Sequence, residues 1–199
     1  MKAGPADVSA PSLDRACERY QVAVLGSARL DEDAPSWPAA VELGRLLAQG
    51  GATVVTGGYA GLMAAVSRGA HESGAHVVGL TMSAWRELQP NEWVTEARAS
   101  EHYGARLQTL LEMDAVVALD GGVGTLSELA VVWAAAQTEP EAPAIVLLGS
   151  AWPSLIDAFR RELVIDERDL ALLRVVTTPA EAAEAALDGV RAAHHEPRG

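Results

Sequence analysis

Six short apolar runs punctuate the chain: QVAVLG (21–26), ATVVTG (52–57), HVVGL (76–80), DAVVALD (114–120), PAIVLLG (143–149) and LRVVTT (173–178). Each is near-continuous rather than alternating, as expected of strands buried on both faces in a parallel sheet. Helical patterns follow them at 38–50, 61–74, 102–113, 125–137, 152–164 and 179–194, with Gly50-Gly51 and Gly74 where helix C-termini belong. Regular alternation of strand and helix predicts one doubly wound α/β domain with right-handed crossovers. The stretch 81–101 has no clean period and reads as a long loop, a kind of segment that often carries function.

The ends depart from this pattern. Residues 1–18 are polar, Pro-containing and aperiodic, and read as a flexible tail. The domain is expected over 19–194, with a second short tail at 195–199. No apolar run of a signal peptide precedes the domain, so the expected location is the cytoplasm. No window approaches the ~18 apolar residues of a membrane span. Cys17 is the only cysteine, which leaves no intrachain disulfide or multi-cysteine zinc site.

Composition narrows the chemistry. The net charge is −12, with 15 Lys+Arg against 27 Asp+Glu. Such a surface repels phosphate backbones, so nucleic acid is not an expected partner. Lys2 is the only lysine, and it lies in the N-terminal tail. Schiff-base chemistry, including pyridoxal-phosphate catalysis, is thereby effectively excluded. No Gly-Lys-Ser/Thr occurs, which removes a P-loop, and neither Gly-x-Gly-x-x-Gly nor Gly-x-Ser-x-Gly is present. The histidines show no metal-ligand spacing.

Ligands of an open parallel sheet bind at the carboxyl ends of its strands. Three glycine-bearing turns fall there: Gly26-Ser27-Ala28-Arg29 after the first run, Gly57-Gly58-Tyr59-Ala60-Gly61-Leu62-Met63 after the second, and Gly121-Gly122-Val123-Gly124-Thr125 after the fourth. Glycine lets the backbone approach a ligand, and the helix that follows offers unpaired N–H groups and a positive dipole end. One such turn is as often plain turn chemistry as a ligand site. Three on one sheet edge point to a cradle for a mononucleotide or another small phosphorylated ligand, built without lysine.

Two charged residues have two readings each. Thr125-Leu126-Ser127-Glu128 fits a capping box, with Thr125 as N-cap and Glu128 folding back on it. Local spacing favours that cap over a Glu128 projecting into the cleft. If Glu128 instead served mainly catalysis, its removal is expected to lower the melting temperature only modestly. Arg106 sits in helical sequence ahead of the fourth run, either as a solvated arginine or as a cleft residue. Ser27 and Arg29 carry the same ambiguity. Trp85 and Trp93, in the long loop, either cap a base-binding pocket, anchor the loop or fill a dimer interface.

The order of these motifs resembles the LONELY GUY (LOG) family, long mislabelled as possible lysine decarboxylases. The resemblance rests on Val24-Leu25-Gly26-Ser27, on Gly57-Gly58 running into Gly61-Leu62-Met63, and on Gly121-Gly122-Val123-Gly124-Thr125-Leu126-Ser127-Glu128, with Arg106 two turns before the fourth strand. It spans roughly residues 20–150. It implies a Rossmann-like fold, a homodimer, and hydrolysis of the N-glycosidic bond of nucleoside 5′-monophosphates, notably cytokinin nucleotides, with no cofactor. It assigns Arg106 and Glu128 as the catalytic pair and the turn ending in Thr125 as the phosphate site. Two residues depart from the family pattern: Asp120 stands where the signature has proline, and Leu107 where many members have lysine. Some relatives with the same turn resemble carriers of molybdenum cofactor, which bind rather than hydrolyse.

Overall fold

The computed structural model describes residues 20–195. Seven parallel strands form one sheet in the order β4-β3-β2-β1-β5-β6-β7. They are β1 (Gln21–Leu25), β2 (Thr53–Thr56), β3 (Val77–Met82), β4 (Glu96–Ser100), β5 (Ala115–Ala118), β6 (Ala144–Leu148) and β7 (Leu173–Val176). Between and after them run α1 (Trp37–Gln49), α2 (Leu62–Glu72), α3 (Tyr103–Leu111), α4 (Val123–Ala136), α5 (Trp152–Glu162), α6 (Glu167–Ala171) and α7 (Pro179–His195). The fold is the expected doubly wound α/β sheet. The tail expected at 1–18, with Cys17, lies outside the described residues, as do residues 196–199.

Both faces of the sheet are covered, which accounts for the unbroken apolar runs. Val22, Val24, Val54, Val117 and Val146 pack on one side with Leu43 and Leu47 of α1, Val66 of α2 and Ala182 of α7. Ala23, Leu25, Val55, Val116 and Leu147 pack on the other with Leu110 of α3, Leu129 and Val132 of α4, and Trp152 of α5. Gly51 and Gly74, with φ of 84° and 82°, close α1 and α2 as expected.

The region read as one long loop, 81–101, contains strand β4. This is a correction to the sequence reading. The strand sits at the sheet edge, paired with β3 alone, and reads EARAS, with two of its five residues charged and no large apolar side chain. Charged short edge strands avoid pairing with other chains, and they carry none of the hydrophobic signal of a central strand. The third glycine turn therefore follows the fifth strand rather than the fourth. Helix α6, also unanticipated, is five residues long and opens with a capping box from Asp166 and Asp169.

The chain runs outward from β1 through β4, then returns to lay β5 against the other side of β1. The point where strand order reverses is thus the β1–β5 junction. No helix among the described residues is long and apolar enough to cross a membrane.

Candidate functional site

The three glycine turns meet at this junction. Ser27 N–H donates to Asp120 C=O at 3.0 Å, joining the first turn to the third, and Leu62 N–H donates to Ser27 C=O at 2.8 Å, joining it to the second. Gly61 adopts φ 69°, and a Cβ there would collide with the Ser27 carbonyl and come within 2.6 Å of Ala28. Only glycine takes both that conformation and that contact without strain. Gly26 packs beneath Leu62, and Gly58 against Gly79. Arg29 is exposed, its backbone N–H held by Ser27 Oγ at 3.0 Å.

Helix α4 begins earlier than the sequence suggested. Its N-cap is Gly122, whose carbonyl accepts from Leu126 N–H at 3.0 Å. Thr125 lies inside the first turn, and Glu128 nearly a turn further on. The expected capping box does not form: α4 has no side-chain cap. Glycines at 121, 122 and 124 hide the true start, because they break the helical pattern without breaking the helix. The first-turn N–H groups of Val123, Gly124 and Thr125 have no intrahelical partner and sit at the positive end of the helix dipole. Gly121, Gly122, Val123 and Gly124 are exposed, whereas Thr125 is buried, its side chain seated against Gly121.

Glu128 is turned inward to Arg106. Arg106 Nε and Nη2 donate to Glu128 Oε1 at 3.1 and 3.0 Å, and Nη1 donates to the Leu80 carbonyl within β3. Arg106 is 6% exposed and Glu128 7%. Glu128 Oε2 accepts no hydrogen bond among the described residues. The pair is therefore an oriented carboxylate with one oxygen engaged and one available. Two features position it. Gly57 makes room for the guanidinium, since a Cβ there would lie 2.9 Å from Arg106 Nη2 and collide with Met63 Sδ. Tyr103, one turn before Arg106, shares a 2.6 Å hydrogen bond with Ser127, the residue before Glu128.

The sequence reading missed several contributors. Asn91 straps the second turn from outside: its N–H donates to Gly58 C=O at 2.8 Å and its Nδ2 to Tyr59 C=O at 2.9 Å. Tyr59 Oη accepts from Met82 N–H at 2.9 Å, tying the turn to β3. Asn91 has no sequence signal beyond its place in a loop, and Tyr59 reads only as part of the second turn. The structure supports the anchoring reading for one of the two tryptophans. Trp93 anchors the loop on the core and carries Arg68 5.9 Å above its ring, while Trp85 stays 42% exposed, 5.6 Å from the Tyr59 ring.

A family model described as the SLOG cluster4 family matches residues 19–162. A rice (Oryza sativa subsp. japonica) protein named as a probable cytokinin riboside 5′-monophosphate phosphoribohydrolase, LOGL5, is 42% identical over 102 residues, covering 48% of this chain and 41% of the relative. The chain thus spans about two fifths of that relative's length. Among solved structures, the molybdenum cofactor binding protein of Rippkaea orientalis matches with TM-score 0.69 at 22% identity, covering 89% of this chain and 98% of that one. The molybdenum cofactor carrier protein of Chlamydomonas reinhardtii matches with TM-score 0.68 at 25% identity, covering 87% and 99%.

Proposed function

This chain belongs to the SLOG cluster4 family, and on that basis we propose that it is a phosphoribohydrolase, cleaving the N-glycosidic bond of a nucleoside 5′-monophosphate. The observation that carries the reading is the buried Arg106–Glu128 pair, presented beside three glycine turns at the β1–β5 junction. The substrate phosphate sits on the N–H groups at the start of α4, with Thr125 beside them and Arg29 and the first turn facing it. No lysine is needed for that grip.

Breaking the bond from C1′ to the base nitrogen builds positive charge on the ribose. The Glu128 carboxylate stabilises that charge and takes a proton from the attacking water. Oxygen from water bonds to C1′, the base leaves with the bonding electrons and takes up the proton that Glu128 removed from water, and ribose 5-phosphate remains. Arg106 holds the carboxylate in place through its charged hydrogen bonds to Oε1 and leaves Oε2 available to the substrate. The phosphate grip supplies remote binding energy that fixes the ribose against Glu128.

The protein acts as a homodimer in this reading. The outer face of α4 supports it: Val123 is 85% exposed and Leu126 42%, with Ala130 and Ala134 also exposed along the same helix. A second copy is the occupant that the family resemblance implies.

The second reading is a carrier that binds a nucleotide or phosphorylated cofactor without turnover. It is favoured by the near-complete overlap with the molybdenum cofactor binding and carrier proteins. Incubation with AMP and with a cytokinin riboside 5′-monophosphate, followed by chromatography, separates the two. Free base and ribose 5-phosphate in equal amounts support the hydrolase; a nucleotide bound and recovered intact supports the carrier.

A further inference from the structure

The Tyr103 and Ser127 hydroxyls stand beside the Arg106–Glu128 pair, and the hydrolysis described above gives them no part. They lie 2.6 Å apart, and Ser127 Oγ donates to the Gly124 carbonyl at 2.8 Å. A serine hydroxyl carries one proton. Both bonds therefore form together only when Tyr103 Oη donates to Ser127 Oγ. The hydrogen bonds run in one direction, from Tyr103 through Ser127 to the Gly124 carbonyl.

The two ends of this chain of bonds touch the two halves of the site. Tyr103 lies on α3 three residues before Arg106, a spacing that puts both on one side of the helix. The Gly124 carbonyl shares a planar peptide unit with the Thr125 N–H, one of the unpaired first-turn donors of α4. A helical serine commonly bonds back to a carbonyl three or four residues earlier, so the Ser127–Gly124 bond alone is ordinary. The unusual part is a phenol from a different helix donating to that serine. Tyr103 is 37% exposed, where water would satisfy its hydroxyl if the bond were absent. Such a bond adds little to stability, which leaves its geometry as the consequence that matters.

Hydrogen bonds in series polarise one another. An anion accepting from the Thr125 N–H makes the Gly124 carbonyl a better acceptor. Ser127 then donates more strongly, and its oxygen in turn becomes a better acceptor for Tyr103. We propose that Tyr103 is a positioning residue that couples the phosphate grip to the Arg106–Glu128 pair, so that phosphate at the start of α4 fixes α3 and with it the guanidinium. This inference rests on the phosphate grip proposed above. It adds that the phosphate raises turnover by ordering the pair, as well as holding the substrate.

The test uses NMR on the nitrogen-15-labelled full chain, following exchange of the Arg106 Nε–H proton with water. Saturating ribose 5-phosphate should slow that exchange at least about threefold in wild type, as expected of a hydrogen bond held more rigidly. Tyr103→Phe keeps the ring and removes the donor. It should abolish the slowing while ribose 5-phosphate affinity stays within about twofold, because the first-turn N–H groups remain. Ser127→Ala should behave alike, and Ser127→Thr, which keeps the hydroxyl, should retain the response. With AMP, Tyr103→Phe should lower kcat about tenfold with KM little changed, since small displacements of reacting groups cost rate rather than binding. A Tyr103→Phe protein that still shows the slowing overturns the proposal, and if it also melts lower the bond is a structural tie only. A wild type that binds ribose 5-phosphate with no change at Arg106 overturns the coupling and leaves the hydrolase reading standing. A wild type that does not bind ribose 5-phosphate overturns both. Slowing in wild type without base release from AMP supports the coupling in a carrier and removes the hydrolase.

Discussion

Arg106 and Glu128 sit on different helices, and they meet through two hydrogen bonds on a single carboxylate oxygen while the guanidinium is also anchored to the Leu80 carbonyl. This places the charge of each residue in the keeping of the other. It also changes what removal of either is expected to do.

Glu128→Ala strands a buried arginine. A buried ion pair that loses one partner costs about 3–5 kcal/mol. A large loss of stability is therefore expected in urea unfolding, contrary to the modest loss anticipated from the sequence for a purely catalytic glutamate. The double variant Arg106→Met with Glu128→Leu should be more stable than Glu128→Ala alone, because the uncompensated charge is gone. A double variant at least as unstable as the sum of its singles would remove the coupling.

Gly57→Ala adds a methyl group where Met63 Sδ and Arg106 Nη2 already lie. Overpacking of this kind costs about 1–3 kcal/mol, and it presses on the flexible Met63 side chain and on the guanidinium together. Base release from AMP should fall further than the melting temperature suggests. An alanine variant with wild-type activity would show that the guanidinium does not need this space.

The edge strand should set part of the acid limb of stability. A hydrogen bond from Arg98, and then one with His76, holds the Glu96 carboxyl down to about 2 from its ordinary 4.5. A depressed folded value means that the unfolded chain takes up the proton first on acidification. The contribution is then complete above pH 4.5 and is lost as pH falls towards about 2. Glu96 is 43% exposed at its side chain, so solvent screening keeps the effect below about 1 kcal/mol. Glu96→Gln should flatten the pH dependence of unfolding over that window, and high salt should do the same to wild type. Superimposable acid limbs for variant and wild type would contradict this.

The exposed apolar face of α4 makes its own prediction. Leu126→Glu places a charge on that face and should convert a dimer into a monomer by light scattering. A wild-type protein that is already monomeric at micromolar concentration would rule the dimer out.

Much of this architecture is legible in the sequence, for physical reasons that particular residues make plain. Val22, Val54 and Val117 are buried between two helical layers, so their runs announce central strands. Glu96 and Arg98 pair with each other along an edge strand, and a charged edge has no hydrophobic period to read. The convergence of the three turns follows from strand-end logic alone. The state of Glu128 does not, since a Thr-x-x-Glu spacing describes a cap as well as it describes this helix. Only the position of Arg106 across the cleft decides between them. Asn91 and the Leu80 carbonyl hold the site through backbone bonds, which no side-chain pattern records.

The decisive measurement is the single-turnover rate of base release from AMP by wild type and by Glu128→Gln, alongside the affinity of each for AMP. The substitution keeps the size of the side chain and an oxygen for Arg106, while removing the negative charge and the base. A rate loss of about 10²–10⁴-fold is expected, the span typical of a lost general base, with AMP affinity changed by less than about threefold, since the proposed phosphate grip at the start of α4 does not involve the Glu128 side chain. A variant that releases base as fast as wild type would contradict the assignment of Glu128 as the catalytic carboxylate.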